Sequence, residues 1–362
     1  MCVQVIEVNT NIMLKKFLEL PNQIYKEDPL GVRPSMDHTL NSYFLRPNLH
    51  RNIKLFLAIR ENKPAARVAA IIDPYYPADT GFFGFFEAFD DLEAAGKVFT
   101  TAFNWLTKRG IRKVLGPVTY NTNQLIGILI EGFSEEPYFM TPYNPPYYSL
   151  LLNNLGFDKA EDFYAYKWHS NDKTPSKIIK VAQRARRITG LKIRSINFRK
   201  PGQEANIISS ILNQAMADNW GYRPLSYRDA RQVIHDYRSY ADPELITVIE
   251  IQDKPAGICL VVPNINPLLR EHPQGLPLPL PQTFRKKLNT CRLAILGVIP
   301  DFRCRGVEAL MMVHSIETAK AKGYTEAELS LIHEKNTMMN KIITETIGTP
   351  KSKSFRLYQK DI

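Results

Sequence analysis

Hydrophobic and polar positions in the C-terminal half of the chain follow the two periods of strands and helices. Residues 192–198 alternate like a strand, and residues 306–322 place apolar side chains at helical spacing. In chain order the pattern predicts a strand at 192–198, helices at 203–219 and 227–240, strands at 245–251, 256–262 and 292–299, a helix at 306–322, a strand at 325–332, a helix at 336–346 and a strand at 354–360. This alternation is typical of an α/β protein with a mixed sheet.

A proline-rich segment separates the strands at 256–262 and 292–299. Residues 263–281 contain six prolines. Because proline lacks a backbone N–H and interrupts helices and central strands, we predict an extended surface loop there, neither helix nor central strand. Its place before the strand at 292–299 makes it either a lid or a passive excursion.

The two halves of the chain resemble each other in the spacing of their glycines. Gly84 and Gly110 are 26 residues apart, and Gly297 and Gly323 have the same separation. In each half the first glycine lies in an apolar strand-like run, and the second ends a helical stretch. A fixed internal spacing of this kind indicates one α/β unit used twice.

The segment between the halves carries almost all of the net charge. Between Lys173 and Lys200 there are ten Lys or Arg residues and neither Asp nor Glu, which accounts for +10 of the formal net charge of +11. Helical spacing of its apolar residues predicts a basic linker helix within 171–191, joining a domain at 1–170 to a domain at 192–362. We expect this helix to bury its apolar face and expose its charges, with RNA binding as the alternative.

Composition excludes several other classes of protein. The chain has 362 residues, enough for two domains, with 44% hydrophobic and 23% charged residues. Apolar runs are far shorter than the ~20 residues of a membrane span, and the N-terminus has no export signal. The four cysteines lack metal-site or disulfide spacing, so we predict no zinc site and a cytoplasmic location.

Candidate chemistry concentrates in residues 296–308, L-G-V-I-P-D-F-R-C-R-G-V-E, where a strand passes into a helix. The free N–H groups and the dipole of a helix N-terminus favour an anion. Arg303 and Arg305 add full positive charges, and Gly306 allows the backbone to approach a ligand closely. The turn therefore predicts a phosphate site; an ordinary turn with two solvated arginines is the alternative.

The order of elements and this turn resemble the acyl-CoA-binding core of the GNAT N-acetyltransferase superfamily, whose signature is Q/R-x-x-G-x-G/A. Arg303 and Gly306 match its first two fixed positions, and Glu308 stands at the third. The resemblance implies two tandem GNAT-like domains and acetyl-CoA or another acyl-CoA as acyl donor. It implies these cofactor-binding residues: Val298, Ile299, Arg303, Cys304, Arg305, Gly306, Val307, Glu308 and Asn336.

The repeat indicates which half holds the donor site. It aligns Asp90, Asp91, Leu92 and Glu93 with residues 303–306. A phosphate at that turn of the N-terminal half would meet negative charge and side-chain bulk. We therefore predict a degenerate N-terminal copy and one donor site, in the C-terminal half.

In the mechanism that the resemblance implies, a backbone N–H at 297–299 polarises the thioester carbonyl and an amine attacks directly. The amine needs a base to take its proton. Glu250, Glu328, His333 and Glu334 are candidates, and we assign the catalytic role to Glu328 and Glu334.

Other positions have open roles. Thr344 stands where the superfamily often has a tyrosine that protonates the leaving thiolate, and Tyr358 is more typical of a sheet core than of an acid. Residues 219–222, N-W-G-Y, either shape the acceptor pocket or end a helix. The tyrosine-rich stretch 138–148 either lines an acceptor pocket or provides aromatic packing.

Three functions fit these features. The first is an acyl-CoA-dependent N-acyltransferase acting on a small-molecule, peptide or protein amine. The second is a non-catalytic GNAT-fold protein that binds CoA or a partner, which Glu308 and Thr344 favour. The third is a Fem-type transferase that uses aminoacyl-tRNA, with the RNA bound through 173–200, although the aromatic residues of an RNA platform are sparse there.

Overall fold

The apolar runs of the N-terminal half pair as antiparallel strands in the computed structural model, which describes residues 2–32 and 52–362. The elements of this half are β1 (Gln4–Glu7), α1 (Asn11–Ile24), β2 (Ile53–Arg60), β3 (Lys63–Ile71), β4 (Thr80–Ala88), α2 (Leu92–Thr107), β5 (Lys113–Val118), β6 (Ile128–Glu131), α3 (Tyr147–Asn154) and β7 (Asp158–His169). Strands β1 to β4 are neighbours in sequence order and antiparallel. Strand β5 follows α2 and lies parallel to β4, as a crossover helix requires.

The C-terminal half repeats this arrangement. Its elements are α4 (Ser176–Ala185), β8 (Leu191–Ser195), α5 (Pro201–Ala215), α6 (Tyr227–Arg238), β9 (Ile246–Ile251), β10 (Lys254–Pro263), α7 (Asn266–Glu271), α8 (Gln282–Arg285), β11 (Thr290–Val298), α9 (Val307–Ala321), β12 (Glu326–His333), α10 (Thr337–Lys341) and β13 (Lys351–Asp361). Strands β8 to β11 are antiparallel, and β12 follows α9 and lies parallel to β11. The predicted fold class, α/β with a mixed sheet, is confirmed.

The glycine spacing reflects this repetition. Gly84 lies in β4 and Gly297 in β11. Gly110 and Gly323 follow α2 and α9 with φ of 84° and 86°, the left-handed conformation that commonly ends a helix. Each pair therefore frames one strand, one crossover helix and the turn into the next strand.

The chain divides into two compact units whose boundaries differ from the predicted ones. Unit 1 comprises Met1–Phe163, Leu269–Gly275 and Lys353–Ile362; unit 2 comprises Tyr164–Leu268 and Leu276–Ser352. Most of β13 lies in unit 1, where Tyr358 pairs with Gly116 of β5. The expected domain at 192–362 included β13, because the order of elements along the chain does not show which strand β13 pairs with. The basic helix α4 belongs to unit 2 and packs on α9.

Each unit has its own apolar core. In unit 1, Phe83, Phe99 and Phe157 are fully buried with ring centroids 4.9–5.1 Å apart. In unit 2, one core cluster comprises Tyr166, Trp168, Leu329 and Ile343. In unit 1 the Phe99 ring comes from the crossover helix α2, and Phe83 comes from β4, which α2 covers.

The prediction that 263–281 contains no helix is wrong. Asn266–Glu271 forms a short helix, and Leu268 is buried. Pro267 is the second residue of the helix, where a missing N–H removes no intrahelical bond. Arg270, which belongs to unit 1, donates from Nη2 to Glu136 Oε1 at 2.7 Å.

Within residues 2–32 and 52–362, every helix is too short or too polar to cross a lipid bilayer.

Candidate active site

Strands β11 and β12 of unit 2 separate before they end. Among the described residues, Leu293 and Leu329 form their last backbone pair. Strand β11 continues to Val298, and β12 continues to His333. We call the open segment, formed by residues 294–298 and 330–333, the fork. A fork between parallel strands exposes main-chain groups that a continuous sheet would pair.

A β-bulge lies where the fork opens. Leu260 of β10 pairs with Ile295. The next residue, Val261, pairs with Leu293, so Ala294 is an extra residue on β11. A bulge of this kind bends its strand and increases its twist. The bulge therefore turns β11 away from β12 while β11 remains paired with β10.

The main chain of Val298 faces the open side of β11. The N–H of Ile299, the residue after β11, donates to the carbonyl of Ala256 on β10 at 2.9 Å. The carbonyl of Val298 instead accepts from Arg303 Nε at 3.1 Å. Since successive residues of a strand direct their main-chain groups to opposite edges, the Val298 N–H points into the fork. Of the predicted residues at 297–299, Val298 is thus the one with the geometry of an oxyanion donor.

We call residues 303–306, where the sequence predicts that the acyl donor binds, the donor turn. It connects the fork to α9. The two arginines of the turn differ in their contacts. Arg303 donates from Nε to Val298 and from Nη2 to the carbonyl of Ala215 at 2.9 Å, so it ties the turn to the end of α5. Arg305 is exposed, with its guanidinium 5.5 Å from the ring centroid of Phe302.

The start of α9 fits a phosphate group. Gly306 is the N-cap with φ of 80°, and no side chain caps the helix. The N–H groups of the first helical turn, including that of Val307, have no intrahelical acceptor. Cys304 is exposed and also has a positive φ, 59°. Glu308, the second residue of α9, is half-buried. Backbone donors, the helix dipole and Arg305 together supply what a pyrophosphate needs.

Helix α4 lies directly against Gly306. A Cβ atom at this position would be 2.7 Å from Val181 Cγ1 and 3.4 Å from the Cβ of Ala185. Gly306 is therefore required both by its left-handed backbone and by the approach of α4. The predicted linker helix is in contact with the donor turn.

Solved structures with this arrangement are known. A tandem GNAT protein from the clavulanic acid biosynthesis pathway matches 99% of this chain and 98% of its own, with a TM-score of 0.61 and 10% identity. The chain has a tandem GNAT fold. A GCN5-related glucosamine N-acetyltransferase region of a fungal multi-domain β-N-acetylglucosaminidase matches with a TM-score of 0.58 and 13% identity, and this chain covers 38% of it.

Two relatives match over nearly the whole tandem GNAT chain. A protein of Caulobacter vibrioides named bacterial ceramide synthase is 29% identical over 99% of this chain and 97% of its own length. Protein YghO of Escherichia coli is 29% identical over 96% of this chain and 93% of its own length. No protein-family model matches the chain.

A buried charged cluster lies at the base of the fork in this GNAT unit. Arg292 and Glu328 face each other across β11 and β12, one position before the last pair. Ser330 Oγ donates to Glu328 Oε1 at 2.6 Å and accepts from Arg292 Nε at 2.9 Å. Burial lowers the pKa of the Arg292 guanidinium, and the Glu328 carboxylate opposes that change. Burial also raises the pKa of Tyr237, on α6, to about 12.

Sequence reasoning selected Glu328 but missed Arg292 as its partner. The sequence signal for this pair is an arginine within one apolar strand and a glutamate within the next. It becomes readable only when the register of β11 and β12 is known, because a shift by one residue would separate the two side chains.

The other candidate bases lie at different places. Glu250 accepts from Arg194 Nε at 2.8 Å and lies on β9, which β10 separates from β11. His333, at the end of β12, lies parallel to the ring of Trp220 with centroids 6.0 Å apart. Glu334 follows in the turn and is half-buried, and its carbonyl accepts from Asn340 Nδ2. The structure thus brings Glu328 to the base of the fork and Glu334 to its outer end.

Two further predicted positions have local partners. Asn336 is the N-cap of α10, and its side chain accepts from the Met339 N–H at 3.2 Å. Thr344 is exposed, and its hydroxyl donates to the carbonyl of Asn340 at 2.9 Å. The interpretation of Tyr358 as sheet core is confirmed, since it is buried in the core of unit 1.

The two aromatic segments have different surroundings. The ring of Trp220, in residues 219–222, lies beside that of His333 at the end of the fork. In the stretch 138–148, Tyr148 is buried and donates to Glu87 Oε2 at 2.7 Å, and Tyr143 donates to Asp28 Oδ2 at 2.8 Å. These contacts favour the packing interpretation of that stretch.

The corresponding place in unit 1 is closed. Strands β4 and β5 remain paired as far as Gly84 and Val118. A Cβ atom at Gly84 would lie 1.9 Å from the carbonyl oxygen of Val118, so the two backbones are in close contact. Asp91 caps α2 by accepting from the Ala94 N–H at 3.0 Å, and Arg60 binds both Asp91 carboxylate oxygens. The Asp91 carboxylate therefore caps α2, whereas no side chain caps the equivalent helix α9 of unit 2.

Proposed function

We propose that this protein is an N-acyltransferase that moves a long-chain acyl group from acyl-CoA to the amine of a long-chain amino alcohol. The observation that carries the acyl-transfer reaction is the fork beside an uncapped helix N-terminus in unit 2. The substrate class is supported by the similarity, over 99% of the chain, to a protein named bacterial ceramide synthase. A ceramide is the amide of a fatty acid and such an amino alcohol.

The residues of unit 2 divide the work of this reaction. The first turn of α9 and Arg305 bind the pyrophosphate of the donor. The Val298 N–H donates to the thioester oxygen as it gains negative charge, an interaction typically worth about 2.7–4 kcal/mol in oxyanion holes. A bound acyl-CoA supplies the activated acyl group and the thiolate leaving group.

Glu328 is our candidate for the group that takes the proton of the attacking amine. The Ser330 hydroxyl donates to the Glu328 carboxylate, and Arg292 donates to the Ser330 hydroxyl. These two hydrogen bonds fix the orientation of the carboxylate. Glu334, at the outer end of the fork, is the second candidate. Trp220 and His333 border the path by which the amine would approach.

The test is an acyl-transfer assay with purified protein. Palmitoyl-CoA and sphinganine are the probes, amide product is measured by mass spectrometry, and acetyl-CoA and ethanolamine are the matched short-chain substrates. We expect wild type to form amide from the two long-chain substrates. The Glu328→Gln variant should have a kcat lower by about 100-fold or more and should still bind CoA in calorimetry.

The Glu334→Gln variant is the matched comparison, because it makes the same change at the other end of the fork. A large loss of kcat in Glu334→Gln with a normal Glu328→Gln would transfer the base role to Glu334. Absence of amide product from every pair of substrates, or absence of CoA binding, would refute the proposed function.

A further inference from the structure

The donor turn alone holds little free positive charge for the ligand it would bind. CoA carries a pyrophosphate and, one ribose away, a 3′-phosphate. Arg303 is engaged with the carbonyls of Val298 and Ala215. Arg305 is exposed and contacts the ring face of Phe302. A second source of positive charge beside the turn would therefore complete the site, if the proposed function holds.

Helix α4 approaches the turn with its C-terminal end. Near the other end of the pair, Lys320 Nζ of α9 donates to the carbonyl of Asp172, just before α4, at 3.4 Å. Val181 and Ala185 lie against Gly306 at the start of α9. The two helices are thus antiparallel, and the C-terminal end of α4 lies beside the donor turn.

Arg184 lies in the last turn of α4, and Arg186 and Arg187 follow it. Arg184 lies three residues from Val181, so the two side chains neighbour each other on the helix surface. The N–H of Arg187 donates to the carbonyl of Arg184 at 3.1 Å, which keeps both arginines within one turn. Both side chains are exposed, and neither forms an ion pair with any residue that the structure describes.

The sequence around these arginines contains nothing that would neutralise them. Between Lys173 and Lys200 there is neither Asp nor Glu. The apolar side of the helix is already used, because Ile178, Ala182 and Ala185 are buried. The residues exposed at this end of α4 include Arg184 and Arg187, and guanidinium groups bind phosphate through two parallel hydrogen bonds.

We propose that Arg184 and Arg187 bind the 3′-phosphate of CoA, so that the helix between the two halves forms part of the donor site. The ligand chemistry is a ribose phosphomonoester next to a pyrophosphate. The inference rests on the proposed acyl-CoA donor and extends its site beyond the turn at residues 303–306.

The experiment compares CoA with 3′-dephospho-CoA by isothermal titration calorimetry on the full chain. Wild type should bind CoA about tenfold or more tightly than 3′-dephospho-CoA, because only CoA offers the phosphate that the guanidinium groups would bind. The double variant Arg184→Ala/Arg187→Ala should bind both ligands with the affinity that wild type has for 3′-dephospho-CoA. Circular dichroism checks that the variant is folded.

The double variant Lys173→Ala/Lys177→Ala is the matched control, because it removes the same charge from the opposite end of the segment. It should keep the wild-type preference for CoA. Adenosine 3′,5′-bisphosphate and adenosine 5′-monophosphate repeat the comparison without the thiol arm.

An unchanged preference in the arginine variant would overturn this inference while leaving the donor proposal intact. The same holds if wild type does not distinguish CoA from 3′-dephospho-CoA. If the arginine variant keeps the preference but no longer binds phosphatidylglycerol vesicles or RNA, α4 is a docking surface for those anions and the inference is wrong. Failure of wild type to bind CoA at all would overturn both proposals.

Discussion

Gly306 shows how one residue can serve both a site and a packing contact. Its φ of 80° is a conformation that other residues avoid, and a Cβ atom there would be 2.7 Å from Val181. A signature glycine in a donor turn is usually explained by its ligand alone. Here the neighbouring helix α4 gives a second reason, which is independent of any ligand.

We therefore expect Gly306→Ala to destabilise unit 2 beyond the cost of backbone strain. Gly323→Ala is the matched control, because Gly323 has a φ of 86° and a Cβ atom there would meet no described atom within 4 Å. Strain in the left-handed region costs about 1–2 kcal/mol at either position. Urea denaturation should show the larger loss of unfolding free energy for Gly306→Ala. Equal losses for the two variants would mean that α4 moves away from residue 306 without loss of stability.

The cysteines should differ sharply in reactivity. Burial raises the pKa of the Cys259 thiol to about 11 and that of Cys291 to about 12, whereas Cys2 and Cys304 are exposed. Since the thiolate is the reactive form, brief treatment with a maleimide at pH 7 should label Cys2 and Cys304 only. Mass spectrometry of the intact protein counts the labels, and urea should expose all four.

The same labelling reports on the donor turn. Cys304 lies within the turn, so bound CoA should slow its modification, with Cys2 as an internal reference. Equal rates at Cys304 with and without saturating CoA would place the ligand elsewhere.

At the scale of elements, the positive charge that follows α4 acts on a half-buried histidine of α9. Burial lowers the pKa of His314, on α9, and the nearby positive charge of Arg186 lowers it further. Between this folded pKa and the unfolded value of about 6.5, the unfolded chain binds more protons than the folded chain. The stability that depends on neutral His314 is thus present above pH 6.5 and is lost as the pH falls.

Thermal denaturation of wild type and His314→Gln between pH 5 and 7.5 tests this. The difference in stability between the two proteins should shift in favour of His314→Gln as the pH decreases. Arg186→Gln should raise the pKa of His314, measured from its imidazole proton signals. An unchanged pKa of His314 in the Arg186→Gln variant would mean that the charge of Arg186 does not act on His314.

Much of the element order was predictable from sequence, because strands and helices have periods that a single chain displays. The predicted strand at 256–262 and helix at 306–322 correspond to β10 and α9 within two residues at each end. The helix at Asn266–Glu271 does not follow from proline content, because a proline in the first turn of a helix removes no intrahelical hydrogen bond. The donor turn could be found because its residues are contiguous.

Other features of the site could not be read from the chain. The fork, the pairing of Arg292 with Glu328 and the contact of Val181 with Gly306 join residues distant in sequence. Their formation depends on strand register and helix packing, which periodicity does not specify.

At the scale of the whole molecule, the tandem GNAT fold contains two copies that differ at the equivalent place. The fork is open in unit 2, whereas in unit 1 the backbone of Gly84 contacts that of Val118. We expect one CoA per chain by calorimetry. Arg305→Ala should weaken this binding and Asp91→Ala should leave it unchanged; two sites per chain would contradict the assignment.

The placement of β13 has a consequence for synthesis on the ribosome. Gly116 of β5 pairs with Tyr358, whose codon is translated 242 positions later. While the intervening chain is being made, β5 of unit 1 keeps an unpaired edge, the kind of edge that recruits other strands. Protection of this edge in the unit synthesised first therefore depends on β13, which is made much later.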